Sequence, residues 1–248
     1  GSVFPTGDLI EQINHLLPGQ VLIKEKVEIA VRPQADNFNN IFNTDYQVIR
    51  VTSDFLQIEN TWDIFTINPQ AIADDFVILT RNQSSQPISD TNFIIGDSDK
   101  IFIEEGSKVE FVYLNTTDGP IYIGKDAEIM EGSKIRGPFA LCDHSVVKMG
   151  AKIYSGTTIG PHSKVGGEIN NSVILGYSNK GHDGFLGNSV IGEWCNLGAD
   201  TNTSNLKNTY DNVRLWSYDS NTFVNTGLQF CGLIMGDHSK SGINTMFN

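Results

Sequence analysis

Residues 121–165 read IYIGKDAEIMEGSKIRGPFALCDHSVVKMGAKIYSGTTIGPHSKV. From Ile123 onward every sixth residue is aliphatic: Ile123, Ile129, Ile135, Leu141, Val147, Ile153, Ile159 and Val165. Two positions before the last seven stand Ala127, Ser133, Phe139, Ser145, Ala151, Thr157 and Ser163, all small but Phe139. A helix cannot use this pattern, because six steps of about 100° carry the chain to the far side of the cylinder. A triangular prism can. Each hexad makes a short strand and a turn, and three hexads close a coil of about eighteen residues. Coils then stack at the ordinary interstrand spacing of about 4.8 Å. The aliphatic residue fills the interior, and the small one sits where the chain bends. Gly and Asn supply turns of positive φ.

The register extends outward from this stretch. It shows before it at Ile95 and Ile101, and at Ile103 and Val109. It breaks near residues 170–181, resumes at Phe185, Ile191, Leu197 and Thr203, blurs over 207–229, and returns at Met235 and Ser241. Breaks in a solenoid are expected to be loops that leave the prism, where binding concentrates.

The first ninety residues follow a different pattern. Thr6 and Asp8 precede Leu9, Ile10, Ile13, Leu16 and Leu17, which Pro18-Gly19 stops, so a short helix is predicted. Val21 to Val31 reads as a strand. A second helix is predicted with Pro69 in its first turn. Residues 81–92, RNQSSQPISDTN, read as a linker. The expected organisation is a partial α/β segment with linker over 1–92 and a mainly β solenoid over 93–248. No capping helix closes the last coil, so further coils are expected beyond it.

Composition limits the function. The chain carries 17 Lys+Arg against 29 Asp+Glu, a net charge of −12, which argues against general nucleic-acid binding. No apolar run approaches the roughly 20 residues that cross a bilayer. Cys142, Cys195 and Cys231 are widely spaced, so neither a disulfide framework nor a zinc ribbon is expected, and a reducing, cytoplasmic setting is.

The run Lys180-Gly-His-Asp-Gly-Phe-Leu-Gly-Asn-Ser-Val-Ile-Gly-Glu-Trp-Cys-Asn-Leu-Gly-Ala-Asp-Thr-Asn202 resembles the acetyltransferase domain of the bifunctional UDP-N-acetylglucosamine pyrophosphorylase/glucosamine-1-phosphate N-acetyltransferases. Trp62-Asp-Ile-Phe, Gly137-Pro-Phe-Ala-Leu-Cys-Asp and Gly232-Leu-Ile-Met-Gly-Asp-His-Ser-Lys resemble more closely a Bacteroidetes-type sugar nucleotidyltransferase relative of those enzymes. The resemblance implies a left-handed parallel β-helix of hexapeptide-repeat type, a homotrimer, and acetyl-CoA as co-substrate. It implies that His182 is the general base toward an amino-sugar phosphate and that Glu168 orients it. An amine nucleophile must be neutral, and imidazole suits that proton transfer. Asn196 matches a sugar-binding asparagine. Phe185 matches a tyrosine that touches the sugar phosphate. Ala199 matches an alanine whose backbone N–H meets the acetyl group. Magnesium is implied only where an upstream uridylyltransferase domain is active.

There are departures. The family's phosphate-holding Arg and Lys fall at Tyr154 and Asn170, neither charged. Lys134 and Lys152 are eighteen residues apart and should stack, with Asn170 eighteen further on. A displaced phosphate site built from Lys134, Lys152 or Lys180 is one reading, and a solvated face is the other. His144 and His162 should also stack, which raises zinc chemistry. The γ-class carbonic anhydrases, which are similar solenoids, place two zinc histidines five residues apart, and no such pair stands in this sequence, so no metal site is expected. Two functions stay open: an acyl-CoA-dependent N-acetyltransferase domain within sugar-nucleotide biosynthesis, and a non-catalytic solenoid that trimerises and positions a nucleotidyltransferase.

Overall fold

The computed structural model describes residues 2–34, 45–51 and 53–248. The chain forms two compact units, residues 1–59 and 60–248. In the first, helix α1 (Gly7–His15) is capped by Thr6, whose Oγ1 accepts from Leu9 N at 3.2 Å. The region read as one strand is a hairpin, β1 (Gln20–Lys24) and β2 (Val27–Arg32), and β3 (Gln47–Arg50) lies parallel to β1 on its other side. Leu9, Leu16, Leu22 and Val51 form the core of this unit.

The second unit is a β-solenoid of about 6 turns, with parallel sheets on three faces. The first face runs from strand Phe93–Ile95 to strand Phe185–Gly187, the second from Ile101–Ile103 to Ile234–Met235, and the third from Lys108–Val109 to Asn179–Lys180. All eight aliphatics of the hexad register are buried in one continuous core. The small residues act as predicted and add hydrogen bonds. Ser145 Oγ donates to Gly160 O at 2.7 Å, and Ser133 Oγ to Lys148 O at 3.0 Å.

Several expectations change. Residues 170–181 do not leave the prism; the coil contracts instead. Lys134 pairs with Lys152, eighteen residues on, but Lys152 pairs with Glu168 and Thr158 with Val173, sixteen and fifteen on. Glu168, and not Asn170, therefore stacks on Lys152. Inside, Ile94 packs against the core and Leu186 belongs to it, while Ile95 is exposed and Phe185 turns outward. The true excursion is later. Val190 pairs with Ile234, forty-four residues on, and the intervening segment holds an antiparallel hairpin, Arg214–Ser217 with Thr222–Asn225.

The compact units divide after Glu59. Helix α2 (Asp63–Thr66) and helix α3 (Asn68–Thr80) belong with the solenoid. Buried Asn68 donates to Gly156 O at 2.8 Å and accepts from Thr158 Oγ1 at 3.0 Å. Residues 81–92 are not a free linker, because Gln86 N donates to Ile103 O at 2.7 Å and Asn92 Nδ2 to Val109 O at 2.7 Å. Their polar side chains satisfy the backbone of the first turn, which has no coil before it.

Candidate functional site

Outward side chains of the first face form a column in which Tyr113, Lys134, Lys152, Glu168 and Phe185 follow one another coil by coil. Arg136, two residues past Lys134, stands on the same side, because alternate residues of a strand share a face. A shallow cavity of about 330 Å³ is lined here by Tyr113, Asn115, Lys134, Arg136, Lys152 and Tyr154, with aliphatic neighbours beneath. Lys134 Nζ sits 5.6 Å from the centre of the Tyr113 ring, a cation–π distance. Arg136 meets Asp118 at 3.5 Å, and Lys152 meets Glu168 at 3.5 Å. Each ion pair is half exposed and so weak and exchangeable. Three cations thus converge on one groove of a chain whose net charge is −12. Arg136 was missed in the sequence, although the alternation rule applied to Lys134 would have found it.

The corner between the third and first faces carries His182, exposed at the surface. Glu168 is close in the fold, since its N–H donates to Gly184 O at 3.2 Å. Its carboxylate, however, pairs with Lys152, and among the described residues no hydrogen bond joins it to the imidazole. Asn196 stands on the third face and accepts from Asn179 Nδ2 at 2.9 Å. Ala199 lies in the next turn of the His182 corner, and its carbonyl accepts from Asn244 N at 2.8 Å.

Lys180 is not a surface cation. It occupies the interior slot in register with Val165, is 3% exposed, and donates from Nζ to Gly166 O and His182 O at 3.0 Å each. Burial lowers its pKa to about 8, against the opposing pull of Asp183 and Asp200. It therefore cannot hold a phosphate on the surface.

His144 and His162 do stack, with ring centres 4.7 Å apart, and the ladder continues through Tyr177 and Trp194. The lone pairs of stacked imidazoles lie in parallel ring planes and do not converge on one ion. Among the described residues no cluster of three or more metal-ligating side chains occurs. Nor is any helix there long and apolar enough to cross a membrane.

A model of the sugar nucleotidyl transferase family matches residues 1–84. The bifunctional sugar-1-phosphate nucleotidylyltransferase/acetyltransferase of Sulfurisphaera tokodaii is 27% identical over 226 residues, covering 89% of this chain and 49% of that relative. The bifunctional protein GlmU of Methanococcus aeolicus is 36% identical over 80 residues, 32% of this chain and 19% of that protein. The uncharacterized acetyltransferase YaiX of Escherichia coli O6:K15:H31 is 28% identical over 137 residues, 54% of this chain and 59% of its own length. The chain thus spans between a fifth and three fifths of these relatives. A solenoid built on hexads, a nucleotidyl transferase match before it and acetyltransferase relatives along it together fit a hexapeptide-repeat transferase.

Proposed function

We propose that the solenoid is an acyl-CoA-dependent N-acetyltransferase domain acting on an amino-sugar phosphate, within a protein of sugar-nucleotide biosynthesis. The observation that carries this reading is the groove of Lys134, Arg136 and Lys152, whose column leads through Glu168 to the corner of His182. The groove takes the phosphate, and the tyrosines beside it border the sugar. The phosphate competes with Glu168 for Lys152, and the released carboxylate turns to the imidazole and holds its tautomer. The neutral sugar amine then attacks the thioester carbonyl carbon of acetyl-CoA. The C–N bond forms, His182 takes the amine proton, the C–S bond breaks, and CoA leaves as the thiol with that proton. The Ala199 N–H faces the oxygen that gains charge. Holding thioester and amine in contact supplies much of the acceleration. In a trimer, the active form proposed here, neighbouring prisms would complete the site.

The test follows free thiol when acetyl-CoA and glucosamine-1-phosphate are supplied, alongside a panel of other amino-sugar phosphates. His182→Ala is expected to lower turnover by about 10²–10⁴-fold. No thiol release with any member of the panel overturns the reading. The uncharged Tyr154 and Asn170 favour a second one, a trimerising solenoid that positions the nucleotidyltransferase. That reading predicts a trimer by light scattering with no thiol release at all.

A further inference from the structure

We propose that Lys180 is a positioning residue for the acyl-transfer base: its amino group, sealed inside the prism, grips the His182 carbonyl and fixes the corner that carries the imidazole. The inference rests on the reading of His182 as the base.

The argument begins with an aliphatic slot that holds a lysine. Ile129, Val147 and Val165 occupy the same slot in earlier coils, each buried, and Lys180 follows in register. A charged group inside a hydrocarbon column persists only where it satisfies polar atoms that nothing else can reach. Two such atoms are present. Lys148 O, one residue past Val147, is satisfied by Ser133 Oγ. The equivalent carbonyl one coil on is Gly166 O, and the equivalent of Ser133 is Ala151, which has no hydroxyl. Lys180 Nζ supplies that hydrogen bond.

The second atom is His182 O. The corner after Val165 is the pair Gly166-Gly167, whereas the corner after Lys180 runs from Gly181 to Gly184. Four residues is also the length of the corners after Ile129 and Val147, and it leaves His182 and Asp183 exposed. Among the described residues three bonds hold this corner to the solenoid. Gly184 O accepts from Glu168 N at 3.2 Å, Asp183 O accepts from Asp200 N at 3.1 Å, and His182 O accepts from Lys180 Nζ. Among the described residues only the last reaches the histidine's own backbone. A neutral amine keeps two N–H donors, so the grip survives deprotonation near pH 8.

The test uses the full chain and three variants. Lys180→Met fills the slot with no donor. Ala151→Ser combined with Lys180→Met returns a hydroxyl to Gly166 O but leaves His182 O without its partner. His182→Ala tests the base separately. In Lys180→Met, amide exchange at Glu168 and Asp200, whose N–H groups bond Gly184 O and Asp183 O, is expected to quicken by about tenfold or more while the other amides of the adjoining coils stay protected. With acetyl-CoA and glucosamine-1-phosphate, kcat is expected to fall by about tenfold or more with KM within about twofold. The double variant should unfold at a higher temperature than Lys180→Met without recovering kcat, which a merely structural lysine would not show. Unchanged exchange at Glu168 and Asp200, or kcat restored by Ala151→Ser, overturns the proposal. If His182→Ala keeps full turnover, the base reading falls by itself, and the exchange data still decide whether Lys180 holds the corner.

Discussion

At the scale of the residue, Lys180 sets function against stability. Its pKa falls from 10.5 to about 8 because burial penalises the ammonium. That corresponds to roughly 3 kcal/mol of destabilisation while it stays charged. Below pH 8 both folded and unfolded chains hold the proton, and the cost is constant. Between about pH 8 and 10.5 the unfolded chain binds more protons than the folded one, so this group's contribution to stability rises with pH. Lys180→Met removes that slope. Urea unfolding of both proteins at pH 7 and pH 10 should show the stability difference shifting in favour of the wild type by about 2–3 kcal/mol at the higher pH. Comparing the two cancels Cys142 and Cys231, whose thiols burial raises to about 11 and which therefore act in the opposite sense. An unchanged difference would mean that Lys180 is solvated.

At the scale of the element, each hexad contributes an aliphatic, a small residue and a turn, and the small residue is more than a spacer. Ser145 is fully buried, donates to Gly160 O and accepts from Ser163 N at 3.3 Å. Ser145→Ala is expected to cost about 1–3 kcal/mol, because a buried carbonyl loses its donor. The exposed neighbour Lys164→Ala should stay within about 0.5 kcal/mol, and equilibrium urea unfolding measures both. The same elements show what the sequence could and could not reveal. The interior from Ile123 to Val165 was legible because each coil there has constant length, so spacing and register are the same thing. Beyond Val165 the coils contract to fifteen, sixteen or seventeen residues. A six-residue ruler then passes over Lys180 and lands on Phe185 where Leu186 is the buried residue. Coil length depends on how many residues each corner takes, and glycine-rich corners permit several answers. His182 and Glu168 were found by motif, and the groove by the spacing of Lys134 and Lys152. The pairing of Glu168 with Lys152 was hidden, because it exists only after the coil has shortened.

At the scale of the whole molecule, a net charge of −12 would repel the anionic substrate proposed above at long range, and the groove of Lys134, Arg136 and Lys152 is proposed to attract it at short range. The two effects respond differently to salt. At physiological ionic strength the Debye length is about 8 Å, so distant acids are already screened, while a phosphate seated among three cations is not. If the groove holds the phosphate, KM for the amino-sugar phosphate should rise as salt increases from about 50 to 500 mM. Replacing Lys134 and Arg136 together by Met should raise KM at low salt by about tenfold or more, since each charge-assisted contact is worth about 1.5 kcal/mol or more. It should also reverse the salt response, because the remaining acidic surface would then dominate. Both side chains are exposed and among the described residues their only ion pair is the weak one to Asp118, so folding should be unaffected within about 1 kcal/mol. Steady-state kinetics of thiol release across the salt series checks all three statements. A KM that stays flat in both proteins would place the phosphate elsewhere on the solenoid and leave these cations as a solvated face.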